Sequence, residues 1–139
     1  MTGKPFSLSV RAVVFDAAGR CLLLRRSGHN RSFVGKWEWP GGKVEPGEDF
    51  AAAILRETRE ETSLEIEITG LAGATEFEMS TANVVLLCLE ARLIGGTLRL
   101  SVEHADFAWV ALPEISSMTL PDQLSAFMIN YASKKGLQP

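Results

Sequence analysis

The sequence predicts an α/β (α+β) domain, a layered α/β/α sandwich with a mixed β-sheet between two main helices. Three observations carry this reading. Segments rich in β-branched and aromatic residues come first, a run of helix formers from Asp49 with no Gly or Pro before Gly70 follows, and further β segments lead to an amphipathic stretch opened by Pro121. The composition, 46% hydrophobic and 22% charged over 139 residues, suits a globular chain with one core, so a single domain over residues 1–139 is expected. No internal repeat or low-complexity tract interrupts the order.

Residues 6–15 read as a strand, Asp16-Ala17-Ala18-Gly19 as a turn, and residues 20–26 as the returning hairpin partner. Leu22, Leu23 and Leu24 are apolar in a row, which predicts a strand covered on both faces. Residues 27–36 form a polar loop, and Arg25, Arg26, His29, Arg31 and Lys36 around it make a dense cationic cluster. Such a cluster suits polyphosphate neutralisation, although the same charges also serve to solvate a loop. Trp37-Glu38-Trp39-Pro40 is extended, because the residue before a proline avoids helical geometry, and it leads into the turn Pro40-Gly41-Gly42. Its two tryptophans are expected on opposite sides, one in the core and one toward a pocket.

Asp49 is the expected N-cap of a helix after the Pro46-Gly47 turn, with Phe50, Ala51, Ile54, Leu55 and Thr58 as its inward stripe. Residues 65–78 alternate imperfectly around Gly70 and Gly73, as two short strands or one bulged one. Residues 83–94 make a long apolar strand, and Gly95-Gly96 is expected to turn the chain into a strand over 97–100. A further strand over 106–112, a helical turn over 113–117 and a helix over 121–134, with Leu124, Phe127, Met128 and Tyr131 at helical spacing, complete the chain.

Glu57, Glu60 and Glu61 stand at i, i+3 and i+4, which costs a bare helix roughly 0.2–0.5 kcal/mol per like-charged pair. A bound cation would reverse that cost; the plain alternative is a solvated acidic face neutralised by Arg56 and Arg59. Clustered carboxylates suit a hard cation such as Mg²⁺, which takes oxygen ligands and shares them with phosphates. The adjacent glycine turn lets backbone carbonyls approach the same ion. Cys21 and Cys88 lie in apolar segments and read as reduced, buried thiols.

The stretch over residues 42–64, GKVEPGEDFAAAILRETREETSL, resembles the signature of the Nudix hydrolases: Gly, five residues, Glu, seven residues, then Arg-Glu-apolar-x-Glu-Glu-x-Gly-apolar. Gly42, Glu48, Arg56, Glu57, Glu60, Glu61 and Leu64 match in place. Thr58 replaces an aliphatic residue, and Ser63 replaces the last glycine, which often takes a left-handed conformation costing other residues roughly 1–2 kcal/mol. The resemblance implies the same sandwich fold and Mg²⁺- or Mn²⁺-dependent hydrolysis of a nucleoside diphosphate-linked phosphoanhydride. A nucleoside triphosphate, normal or modified, cleaved to monophosphate and pyrophosphate is the leading expectation. It implies that Glu57, Glu60 and Glu61 hold the metal with the Gly41 carbonyl, that Arg56 and Glu48 pair to orient the helix, and that Glu57 or Glu103 is the general base. In the MutT-like branch an acidic residue from the region before the last strand completes the metal site, and Glu103 fits by position. In that branch the residues before Pro-Gly-Gly line the nucleotide site, and a polar residue near the start of the last helix reads the base. Arg26 of the cationic cluster, Glu38, Trp39, Pro40 and Asp122 are therefore the candidate substrate-binding residues.

A net charge of −3 gives no basic footprint, so a nucleic-acid polymer is not an expected partner. No apolar run approaches the ~18 residues of a membrane span, and MTGKPFSLSV lacks the apolar core of a signal peptide. A cytoplasmic monomer or homodimer acting on a small nucleotide is the expectation. Two other readings remain: a hydrolase of a nucleotide sugar or dinucleoside polyphosphate, and a catalytically silent Nudix-fold binding module. The last sits poorly with a box that keeps all its carboxylates.

Overall fold

The apolar segments of the first third form the centre of a seven-stranded mixed sheet. The computed structural model describes residues 3–137. In chain order it holds β1 (Phe6–Phe15), β2 (Cys21–Arg26), β3 (Trp37–Glu38), β4 (Gly41–Lys43), α1 (Phe50–Thr62), β5 (Leu64–Glu78), β6 (Asn83–Gly96), β7 (His104–Val110), a 3₁₀ helix (Leu112–Ser117) and α2 (Asp122–Gly136). β1 runs parallel to β6 along its whole length, from Phe6 opposite Asn83 to Phe15 opposite Arg92. It is antiparallel to β4 and, at Phe15, to β2. β2 in turn pairs with β3 and β7, and β5 closes the far edge against β6.

Alternation along the strands separates two cores. Val10, Ala12, Val14, Leu22 and Leu24 pack with Ala53 and Ile54 of α1. Val13, Cys21 and Leu23 pack on the opposite face with Leu124, Met128 and Ala132 of α2. The leucine triplet is thus covered on both sides, as its sequence predicts. Cys21 and Cys88 are buried free thiols, and burial pushes them up to about 11 and about 12.

Helix α1 begins as its sequence requires. The Asp49 side chain accepts from the Ala52 N–H at 2.7 Å, a cap worth about 1 kcal/mol. Ser63 ends the helix in the left-handed region, with φ 62° and ψ 16°, where the family signature carries glycine. The buried face is Ala53, Ile54, Thr58, Glu61 and Thr62, and Phe50 is 47% exposed, so the inward stripe is rotated from the one expected. The helix is turned so that Glu61, fixed by a backbone N–H of β4, faces the sheet.

Three other expectations are corrected. Trp37 and Trp39 both pack into the core beneath α2, because residues two apart on an extended chain share a side. Residues 97–100 are not a strand: Gly95 and Gly96 belong to β6, opposite Glu65 and Leu64. The following segment instead crosses the end of α1, where the N–H groups of Arg99 and Ser101 donate to the Thr62 and Glu61 carbonyls at 2.8 and 3.1 Å. Those carbonyls are among the groups that a helix end leaves without intrahelical partners. The last strand is His104–Val110, beginning two residues before the expected 106. Residues 65–78 form one strand with irregularities at Ile68/Gly70 and Leu71/Gly73, and Gly73 has φ 152°. Among the described residues no helix is long and apolar enough to cross a membrane.

Candidate metal and substrate site

Strand pairing brings three distant stretches together: the glycine turn of β4, the second half of α1, and Glu103-His104 at the start of β7. Gly41 and Gly42 lie opposite Arg11 and Val10 of β1. A Cβ on Gly41 would fall 2.0 Å from the Val10 carbonyl oxygen, so the backbones meet there only through glycine. A Cβ on Gly42 would fall 2.7 Å from the Glu57 carboxylate, so this glycine supplies the space into which Glu57 reaches.

The three box glutamates occupy different environments. Glu61 is 3% exposed and accepts from the Gly41 N–H at 2.8 Å. Burial pushes its carboxyl up to about 9, with Arg11 pulling the other way. Glu57 is partly buried, which also raises it, against the pull of Arg56. The Glu60 side chain is 60% exposed and lies 3.3 Å from Arg56. Arg56 clamps Glu48 through two bonds of 2.7 and 2.9 Å, holding that carboxyl at about 2, and also donates to Glu57 at 3.0 Å. The expected Arg56–Glu48 pair is therefore present, and it links to the other two carboxylates.

Glu61, Glu103 and His104 each place one ligand atom within 4.8 Å of the others. This set, with Glu57 facing the space beside Gly42, fits a divalent cation: the donors are mostly oxygen, and the buried Glu61 carboxylate gains most from added positive charge. The Gly41 carbonyl already accepts from Arg11 Nη1 at 3.2 Å and keeps a second lone pair.

The candidate substrate residues divide. Glu38 is buried, and its Oε2 takes Arg26 Nη1 at 3.0 Å, His104 Nε2 at 2.9 Å and Arg11 Nη1 at 3.5 Å. Burial alone would raise this carboxyl, but Arg11, the His104 bond and Arg26 outweigh it and hold it at about 2. Arg26 also donates to Ser32 O and Asn30 Oδ1 at 2.9 and 3.0 Å, so its guanidinium is engaged within the fold. Trp39 is 2% exposed, edge-on to Phe127 and Tyr131 at 6.5 and 5.6 Å. Pro40 is buried, and its carbonyl accepts from Ala12 N–H at 2.8 Å. Asp122 is exposed at the start of α2 and makes no side-chain cap.

Two members of this constellation escape sequence reasoning. Arg11 donates to Trp39 O at 3.1 Å as well as to Gly41 O, and its only advance signal is a charge inside an apolar strand. His104 is brought to Glu38 only by the pairing of β7 with β2.

The Glu61 environment sets a pH dependence. Its folded-state value lies above the ordinary 4.5, so its contribution to stability is complete below about 4.5 and is lost as pH rises toward about 9. Glu38 and Glu48 act in the opposite sense, and only as pH falls from about 4.5 toward 2. Urea unfolding in a chelator should therefore show declining stability between pH 5 and 9, and a saturating divalent cation should flatten the decline.

A model of the NUDIX domain matches residues 5–131. A MutT-like protein of Streptomyces ambofaciens is 34% identical over 110 residues, spanning 79% of this chain and 67% of that one. The CTP pyrophosphohydrolase of Escherichia coli (strain K12) is 30% identical over 131 residues, spanning 91% and 96%. The crystal structure of the MutT protein from Methanosarcina mazei Go1 superposes with a TM-score of 0.88 at 33% identity, covering 99% of this chain and all of that one.

Proposed function

Because this chain belongs to the Nudix family, we propose that it is a Mg²⁺- or Mn²⁺-dependent hydrolase that cleaves a nucleoside triphosphate, normal or base-modified, to the monophosphate and pyrophosphate. The observation that carries the reading is the meeting of Glu57 and Glu61 at the glycine turn, with a Glu103 oxygen within 4.8 Å of Glu61 and Glu60 on the outer rim. The naming of a relative matched over 96% of its length as a CTP pyrophosphohydrolase supports a triphosphate substrate.

Glu57, Glu60, Glu61 and Glu103, with the free lone pair of the Gly41 carbonyl, would hold the cation. When bound it neutralises the polyphosphate and lowers the pKa of water. Arg56, anchored by Glu48, fixes the Glu57 carboxylate in advance, which removes a reorganisation cost from the reaction. Glu57, held by Arg56 beside the space at Gly42, takes the proton of the attacking water, and Glu103 is the other base within the cluster. Glu38 and Arg26 brace the wall beside Trp39 and Pro40, and Asp122 accepts hydrogen bonds from the base edge.

The test is release of pyrophosphate and phosphate from normal, oxidised and methylated nucleotides in the presence of Mg²⁺. Pyrophosphate with the matching monophosphate is expected; turnover of nucleotide sugars or dinucleoside polyphosphates alone would overturn the substrate assignment. Asp122→Ala should reorder the nucleotides by about 1–3 kcal/mol in kcat/KM, as the loss of one specific contact does. If the order of preference is unchanged, Asp122 serves only the helix end.

A further inference from the structure

His104 has no place in the signature, yet its side chain is completely buried beside two of the candidate carboxylates. Its Nε2 lies 2.9 Å from Glu38 Oε2. Glu38 also receives two arginines and is an ionised, acceptor-only group, so Nε2 carries the proton of this bond. In the neutral ring the lone pair is then on Nδ1, and Nδ1 is buried with no hydrogen-bond partner. A buried polar atom left without a partner costs free energy that a ligand can recover.

One ring nitrogen and one carboxylate oxygen each from Glu61 and Glu103 lie within 4.8 Å of one another. A divalent ion with bonds of about 2.0–2.2 Å holds three donors about 3–4 Å apart, so side-chain rotation of about an ångström, open to the exposed Glu103 above all, brings the three together. The segment that carries two of them is fixed. The Glu103 carbonyl accepts from Ser27 N–H and Asn30 Nδ2 at 2.9 and 2.6 Å, and His104 pairs with Arg26 in the sheet.

We propose that His104 is a metal ligand through Nδ1, with Glu61 and Glu103 as its partners and Glu38 orienting the ring from behind. A carboxylate on the far nitrogen of a ligating histidine sets the tautomer and raises its basicity. The inference deepens the metal-dependent reading above and rests on it for the place of the ion. Its consequence is selectivity: an imidazole among carboxylates favours Mn²⁺ and the later first-row ions over Mg²⁺, which keeps to oxygen.

The test uses the full chain without nucleotide. Electron spin-echo modulation of bound Mn²⁺ should show nitrogen coupling in the wild type and in His29→Gln, and none in His104→Gln. That variant keeps an N–H donor toward Glu38 and removes the ligating nitrogen. By titration, Mn²⁺ affinity should fall at least about 10-fold in His104→Gln, and Mg²⁺ affinity less than about 3-fold. Absence of nitrogen coupling in the wild type overturns the proposal, as does its persistence in His104→Gln. The wild-type spectrum decides the matter if the variant does not fold. Nucleotide hydrolysis without nitrogen coupling would sink this inference alone, and nitrogen coupling without hydrolysis would sink the functional reading alone.

Discussion

Glu61→Gln is expected to lower turnover at least ~10²-fold and to raise the stability of the metal-free protein at neutral pH. The substitution keeps the shape of the side chain, and its amide oxygen still accepts from the Gly41 N–H, so the glycine turn stays in register. What it removes is a buried ionisable group. Near pH 7 the unfolded chain gains by ionising Glu61, while burial holds the folded form protonated toward about 9. The variant loses that bias toward the unfolded state, and its unfolding free energy in a chelator should become nearly flat between pH 5 and 9. Glu60→Gln separates the two effects, because Glu60 is mostly exposed: turnover should fall comparably while the pH profile stays as in the wild type. Wild-type kcat in either variant would remove that residue from the metal site.

Sequence was most informative where function depends on local spacing. Glu48, Arg56, Glu57, Glu60 and Glu61 lie within one turn-and-helix segment, so their mutual placement follows from helical geometry and the Asp49 cap. The left-handed Ser63 was legible for the same reason. Arg11 and His104 were not, because their partners are 27 and 66 residues away and meet them only through β1–β4 and β2–β7 pairing. The rotation of α1 was hidden for a related reason. An apolar count places Phe50 inward, whereas the Gly41 N–H of another element selects Glu61 for the buried face. Residues 97–100 read as a strand because Gly-Gly resembles a hairpin turn, but the N–H groups of Arg99 and, just beyond, Ser101 are taken by the end of α1. Hydrogen-bond demand at a helix terminus won over local turn chemistry.

Gly41→Ala and Gly42→Ala should fail in different ways, although the two glycines are adjacent. At Gly41 the added methyl carbon would stand 2.0 Å from the Val10 carbonyl oxygen, at a φ of 153° that side chains rarely adopt. The obstacle is backbone of the central strand and cannot move aside, so a stability loss of about 2–6 kcal/mol is expected. At Gly42 no unusual φ is involved, and the obstacle is the Glu57 carboxylate at 2.7 Å, the end of a flexible side chain. That carboxylate can swing away at the cost of its 3.0 Å bond to Arg56, so the fold should survive with little change in melting temperature. The position of Glu57 does not survive. Turnover should therefore fall at least ~10²-fold in Gly42→Ala, with weaker divalent-cation binding, because a displaced ligand and base is equivalent to a missing one. Thermal melting, cation titration and kcat on both variants separate these outcomes. Full activity in Gly42→Ala would show that the space beside this glycine is not where Glu57 works.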